Sequence, residues 1–213
     1  MTIHAVLWDF GGVITSSPFD SFNRFEDAKG YPKDFIRTIN STNPENNAWA
    51  LFESNQISAD EFDVAFETES RAAGHSIPGK DVIQLLAGNV RPRMIEVLKR
   101  CKQDYKISCL TNNVRAGSGA GMSRTAENAA EVASAMRLFD HVLESSKEGM
   151  RKPEEKFYLL ACERMQVKPE NVVYLDDLGI NLKPARKLGM TTIKVLSEAQ
   201  AINDLSEALG ITF

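Results

Sequence analysis

The stretch Ala5-Val-Leu-Trp-Asp-Phe-Gly-Gly-Val-Ile-Thr-Ser-Ser-Pro-Phe19, AVLWDFGGVITSSPF, decides how this chain is read. An apolar run ends at a lone carboxylate, Asp9, and then breaks at two glycines. In one reading Asp9 caps a turn and the glycines supply positive-φ positions. In the other, Asp9 is a nucleophile on a strand end, with the backbone left bare so that something small can approach. The segment alone leaves both open.

Similar apolar or β-branched runs recur at residues 106–112 (KISCLTN), 141–145 (HVLES), 171–177 (NVVYLDD) and 191–196 (TTIKVL). Helical patterns fill the intervals: Arg93–Gln103, Ala126–Leu138, Glu154–Met165, Asn181–Leu188 and Glu198–Leu209. Runs without polar alternation suit strands buried on both faces, and strand–helix repetition predicts an α/β fold, a parallel sheet between two helical layers. From Pro18 to Gly88 the alternation stops and five amphipathic helical patterns follow one another. Ser58 with Glu61 forms a capping box for the fourth of these, and Gly74 ends it. The expected organisation is a core of residues 1–17 and 89–213 with a helical cap, 18–88, inserted after the first strand. A biased stretch, 115–135, reads as a Gly/Ser loop followed by an Ala-rich helix.

The net charge of −4 excludes the basic footprint of non-specific nucleic-acid binding. No apolar run reaches the roughly 20 residues that span a bilayer. The first residues lack a cationic leader and read as a strand, so a cytoplasmic location is expected. Cys101, Cys109 and Cys162 are odd in number, lack CxxC spacing, and read as buried thiols in a reducing compartment.

Ligands of open parallel sheets bind beyond the carboxyl ends of the strands. There the sequence places Asp9; Thr111 with Asn112 and Asn113; Asp176 and Asp177, followed by Gly179 and Asn181; and Lys152, just before a proline suited to a helix's first turn. Singly, each has a bland reading: a turn threonine, a solvated lysine, an N-capping acid pair. Together they are a nucleophile, hydroxyl and amide donors, a cation and paired carboxylates, the set that phosphoryl transfer through an aspartyl intermediate needs.

The order D…T…K…DD resembles the haloacid dehalogenase-like hydrolases, in the branch of the epoxide hydrolase N-terminal phosphatase domain. The resemblance rests on LWDFGGVITSSPF, LTNN, FDHVLESSKEGMRKPEEKFYLLACERMQV and VVYLDDLGINLKPARKLGM, and spans nearly the whole chain. It implies a Rossmann-like core with a helical cap, and a small phosphorylated metabolite as substrate. It further implies Asp9 as nucleophile and Thr111 and Asn112 as phosphoryl donors, with Asn113 beside them at the substrate. Lys152 is the implied neutralising cation. Mg²⁺ would be held by Asp9, the Gly11 carbonyl and Asp177, with Asp176 acting through water.

One position departs from that pattern. Most phosphatases of the family carry D-x-D, the second Asp being the general acid; here the third residue is Gly11. Metal binding and nucleophilic attack should survive, while protonation of the leaving group, worth about 10² to 10⁴-fold, should not. The expected activity is therefore on phosphates with easily expelled groups. The alternatives are a catalytically impaired module that binds a phospho-ligand or a protein, and a haloacid dehalogenase, against which the Asp176–Asp177 pair speaks. Phe19, Phe22, Phe25, Trp49 and Phe52 read as cap core in preference to an apolar pocket. His75 is a replacement acid or a surface loop residue, and Arg115 with the 116–121 loop lies close enough to motif two to touch a substrate.

Overall fold

The computed structural model describes residues 2–114 and 125–213. Arg115, the 116–121 loop and the start of the biased stretch fall outside these residues.

Five strands form one parallel sheet: β1 (Ala5–Trp8), β2 (Lys106–Thr111), β3 (His141–Glu144), β4 (Val172–Asp176) and β5 (Thr191–Lys194), in the order β3-β2-β1-β4-β5. β1 is central and wholly buried because its side chains feed both faces in alternation. Val6 and Trp8 join one apolar cluster, Ala5 and Leu7 the other. Trp8 pairs with Cys109 and with Leu175, so Asp9 and Asp176 leave the sheet at the same level on adjacent strands.

Between β1 and β2 lie α1 (Pro18–Lys29), α2 (Phe35–Ser41), α3 (Ala48–Glu53), α4 (Ala59–Ala72), α5 (Gly79–Ile83) and α6 (Pro92–Asp104). The remaining helices are α7 (Ala126–Met136), the single turn α8 (Ser145–Glu148), α9 (Glu155–Met165), α10 (Gly179–Lys187) and α11 (Glu198–Leu209). Helices α6, α7 and α11 cover one sheet face, and α9 and α10 the other.

Helices α1 to α5 gather around a third cluster that includes Phe22, Ile36, Phe52, Phe62 and Phe66. Phe52 stacks on Phe62 with ring centroids 4.5 Å apart, and Phe19, Phe25 and Trp49 pack at the edge. These aromatics therefore belong to the packing of the helical insert. His75 lies against the rings of Tyr31 and Phe35 in the same unit. The capping box joins Ser58 and Glu61, and Gly74, at φ 111°, follows the end of α4. Helix α2 has no side-chain cap of its own. Buried Glu26 of α1 replaces it, accepting the amides of Asp34 (2.8 Å) and Ile36 (2.9 Å).

The chain enters and leaves this insert along two adjacent segments. Thr15 and Val90 form an antiparallel bridge, Ser16 N donates to Asn89 O (2.8 Å), and Arg91 N donates to Ile14 O (2.9 Å).

The structure corrects several local expectations. Ser145, expected to end a strand, starts α8, which Gly149 closes at φ 66°. Pro153 is not in a helical first turn: α9 begins at Glu155, with Glu154 as its N-cap. Helix α10 begins at Gly179, two residues early, immediately after the acidic pair.

The Glu26 contacts carry a prediction. Glu26→Leu leaves one buried and one half-buried amide without acceptors and should cost about 1–3 kcal/mol in urea unfolding.

Candidate active site

Lys152 organises the carboxyl edge of the sheet. Its ammonium lies 2.8 Å from Asp9 Oδ1 and 2.9 Å from Asp176 Oδ2. Only 1% of Lys152, 7% of Asp9 and none of Asp176 is exposed. Charges are almost never buried this deeply unless paired, and these three are paired with one another. Burial alone would pull the Lys152 pKa down, but the facing Asp176 and Asp9 charges outweigh it and raise it, so the ammonium stays protonated.

Each carboxylate is held by its own local structure. The Phe10 amide donates to Asp9 Oδ1 (2.7 Å), turning the side chain back over the end of β1. Asp176 accepts from Leu178 N (2.7 Å), from Asn181 Nδ2, which is shared between both carboxylate oxygens (3.1 Å each), and from the Tyr174 hydroxyl. Tyr174 and Asp176 share a strand face because they are two residues apart on β4. Asp177 is less enclosed, and Ser17 Oγ, at the N-cap of α1, donates to it (3.1 Å).

Carboxylate oxygens of Asp9, Asp176 and Asp177 lie within 4.8 Å of one another. Burial pushes the Asp9 carboxyl well above its usual range, and Asp176 and Asp177 push the same way against the pull of Lys152. Burial, then the Asp176 charge, raises Asp177 to about 6. Three crowded carboxylates facing one lysine leave excess negative charge. An all-oxygen donor set of this kind fits a hard divalent cation such as Mg²⁺.

The two glycines after Asp9 have different reasons. Gly12 stands at φ 76°, and a Cβ there would meet Asp177 Oδ2 at 2.1 Å. Its missing side chain is the space into which Asp177 projects. Gly11 is outside the positive-φ region, and a Cβ there would meet nothing within 4 Å. Its backbone therefore tolerates a side chain.

The other expected residues divide. Thr111 is buried at the end of β2, its hydroxyl 3.4 Å from Asn112 O. The Asn112 side chain clamps the Lys152 backbone, accepting from Lys152 N (2.8 Å) and donating to Lys152 O (3.1 Å). Asn113 is committed to structure: its side chain joins Glu144 (2.8 Å) and Ser146 (2.9 Å), and its amide donates to Ser145 Oγ (3.0 Å). Sequence reasoning missed Ser17, Glu53, Arg151 and Tyr174. Of these, only Tyr174 carried a signal, its two-residue spacing from Asp176 on an apolar strand.

A family model described as haloacid dehalogenase-like hydrolase matches residues 3–189. Bifunctional epoxide hydrolase 2 of Mus musculus is 29% identical over 225 residues, covering all of this chain and 40% of that protein. The chain thus spans well under half the length of that relative. Sesquiterpene phosphatase astK of Aspergillus oryzae is 24% identical over 98% of both chains. A HAD family enzyme of Bacteroides thetaiotaomicron, solved with magnesium and inorganic phosphate, superposes with a TM-score of 0.57 at 16% identity. That likeness covers 90% of this chain and 93% of the other.

Two outcomes follow from the geometry. Lys152→Met leaves Asp9 and Asp176 buried without their cation and should cost about 3–5 kcal/mol in metal-free urea unfolding. Gly12→Ala should cost at least about 2 kcal/mol, whereas Gly11→Ala should be neutral or stabilise by about 0.4–1 kcal/mol, read from the same unfolding curves.

Proposed function

This chain belongs to the haloacid dehalogenase-like hydrolases, and we propose that it is a Mg²⁺-dependent phosphatase or phosphotransferase working through an aspartyl phosphate. The observation that carries this reading is the buried Asp9–Lys152–Asp176 chain with Asp177 alongside, at the edge of the sheet where Gly11 supplies no acid. The end-to-end similarity to a phosphatase supports the reaction class. The acidic pair favours a metal-assisted phosphate site over dehalogenation.

In this reading the helices within 18–88 cap a core of residues 1–17 and 89–213. Asp9 attacks the phosphorus of a small phosphate ester or anhydride, forming a carboxyl–phosphate bond as the bond to the leaving oxygen breaks. The Thr111 hydroxyl and the Asn112 amide hold non-bridging oxygens. Lys152 keeps Asp9 oriented and offsets charge on the transferring group, in a site largely closed to water. Mg²⁺, held by Asp9, the Gly11 carbonyl and Asp177 with Asp176 behind a water, would neutralise the phosphoryl oxygens. Water or an acceptor alcohol then attacks the same phosphorus and frees Asp9.

With glycine at position 11, the departing oxygen leaves without a proton from that position. The substrates that suit such a site have stable leaving groups: anomeric sugar phosphates, acyl phosphates and aryl phosphates. The competing reading is an impaired module that binds phospho-ligands without turnover.

The test is a series of aryl and alkyl phosphates assayed with Mg²⁺. Wild-type rates should fall steeply as leaving-group pKa rises, and Asp9→Asn should abolish turnover. A Cβ at position 11 meets nothing within 4 Å, and Gly11→Asp should accelerate alkyl phosphates by up to about 10²-fold, with a smaller effect on aryl ones. Phosphate binding with no turnover of any member would establish the binding module instead.

A further inference from the structure

Among the described residues, Glu53 and Arg151 form a largely buried ion pair that the proposed chemistry does not use. Glu53 ends α3 in the helical insert, and Arg151 precedes Lys152 in the loop between α8 and α9. Arg151 Nη2 lies 2.7 Å from Glu53 Oε2, with 18% and 8% of the two side chains exposed. The other end of the guanidinium, Nη1, donates to Pro44 O (3.1 Å), in the link between α2 and α3. One core side chain thus grips the insert at two points.

The same carboxylate reaches the catalytic edge by a second route. Asn112 Nδ2 donates to Glu53 Oε2 (3.4 Å), while Asn112 holds the Lys152 backbone through both its amide nitrogen and its carbonyl. Glu53, Arg151, Lys152 and Asn112 therefore form a closed ring of contacts. Opening the insert breaks this ring at Glu53 and removes the contacts that brace the Lys152 segment from above.

We propose that Glu53 and Arg151 are positioning residues: their ion pair latches the cap onto the core and, through Asn112, sets the backbone of Lys152 for reaction. This rests on the phosphatase reading for its catalytic part only. Neither residue touches the reacting atoms. The latch works because removing one partner leaves the other charge buried in the closed state, whereas replacing both by apolar side chains of similar length removes that penalty.

That asymmetry gives the test, with Glu53→Gln, Arg151→Met and the double variant Glu53→Met/Arg151→Met. The first readout needs no activity: hydrogen–deuterium exchange of peptides covering 48–53 and 150–154 in the substrate-free protein. Each single variant should exchange at least tenfold faster there, and the double variant should return to within about threefold of wild type. The second readout is p-nitrophenyl phosphate turnover with Mg²⁺. Singles should lose at least tenfold in kcat with KM changed less than threefold, and the double variant should stay at least tenfold down, because it lacks the Glu53 contact with Asn112 that sets the Lys152 backbone. Singles with wild-type exchange, or a double variant exchanging as fast as the singles, would overturn the latch. A double variant that regains wild-type kcat without Glu53 would show that Asn112 holds Lys152 unaided and would overturn the positioning assignment. A wild type inactive on every phosphate would remove the phosphatase reading, and exchange alone would then decide the latch.

Discussion

The position of the Lys152 ammonium is the constraint on which the rest of the site depends. Asp9 leaves β1 and Asp176 ends β4, its neighbour in the sheet, and parallel register delivers both carboxylates to one level. Two buried negative charges side by side would push those strand ends apart or force protonation. Lys152, arriving from the opposite side of the sheet order after β3, lies between them and binds the three segments into one unit. The lysine backbone is itself clamped by Asn112, so the ammonium is held from both ends of its residue.

Around that unit the protein controls space as closely as charge. At Gly12 the absent side chain is occupied by a carboxylate, and the residue cannot change without moving Asp177. At Gly11 a Cβ would meet nothing within 4 Å, so no neighbouring atom requires the glycine. The glycine at this position is thus not imposed by backbone conformation or by a neighbouring atom.

Much of this was legible in the sequence, for physical reasons. Buried parallel strands are apolar throughout, so their ends show where polarity returns, and Asp9, Thr111 and Asp176 stand at or just past those ends. Side-chain direction is not written at a strand end. Asn113 read as a ligand contact, yet it turns to tie β2 to the start of α8. The Glu53–Arg151 pair was invisible because a glutamate on a short amphipathic helix reads as solvated, and its partner lies about a hundred residues away. Glu26 hid in the same manner, as a helix cap supplied from another helix. Pro153 misled through a general preference that the loop after Lys152 does not follow.

The side-by-side run of residues 14–16 and 89–91 has an evolutionary consequence. A long insertion ordinarily costs chain entropy because its ends must be brought together. Here the Thr15–Val90 bridge and its neighbouring hydrogen bonds hold the two ends in contact at the core surface. Whatever length of chain is threaded through that stalk, the core meets the same two attachment points. Helices between them can be lengthened, exchanged or redesigned while Asp9, Lys152 and Asp176 keep their register.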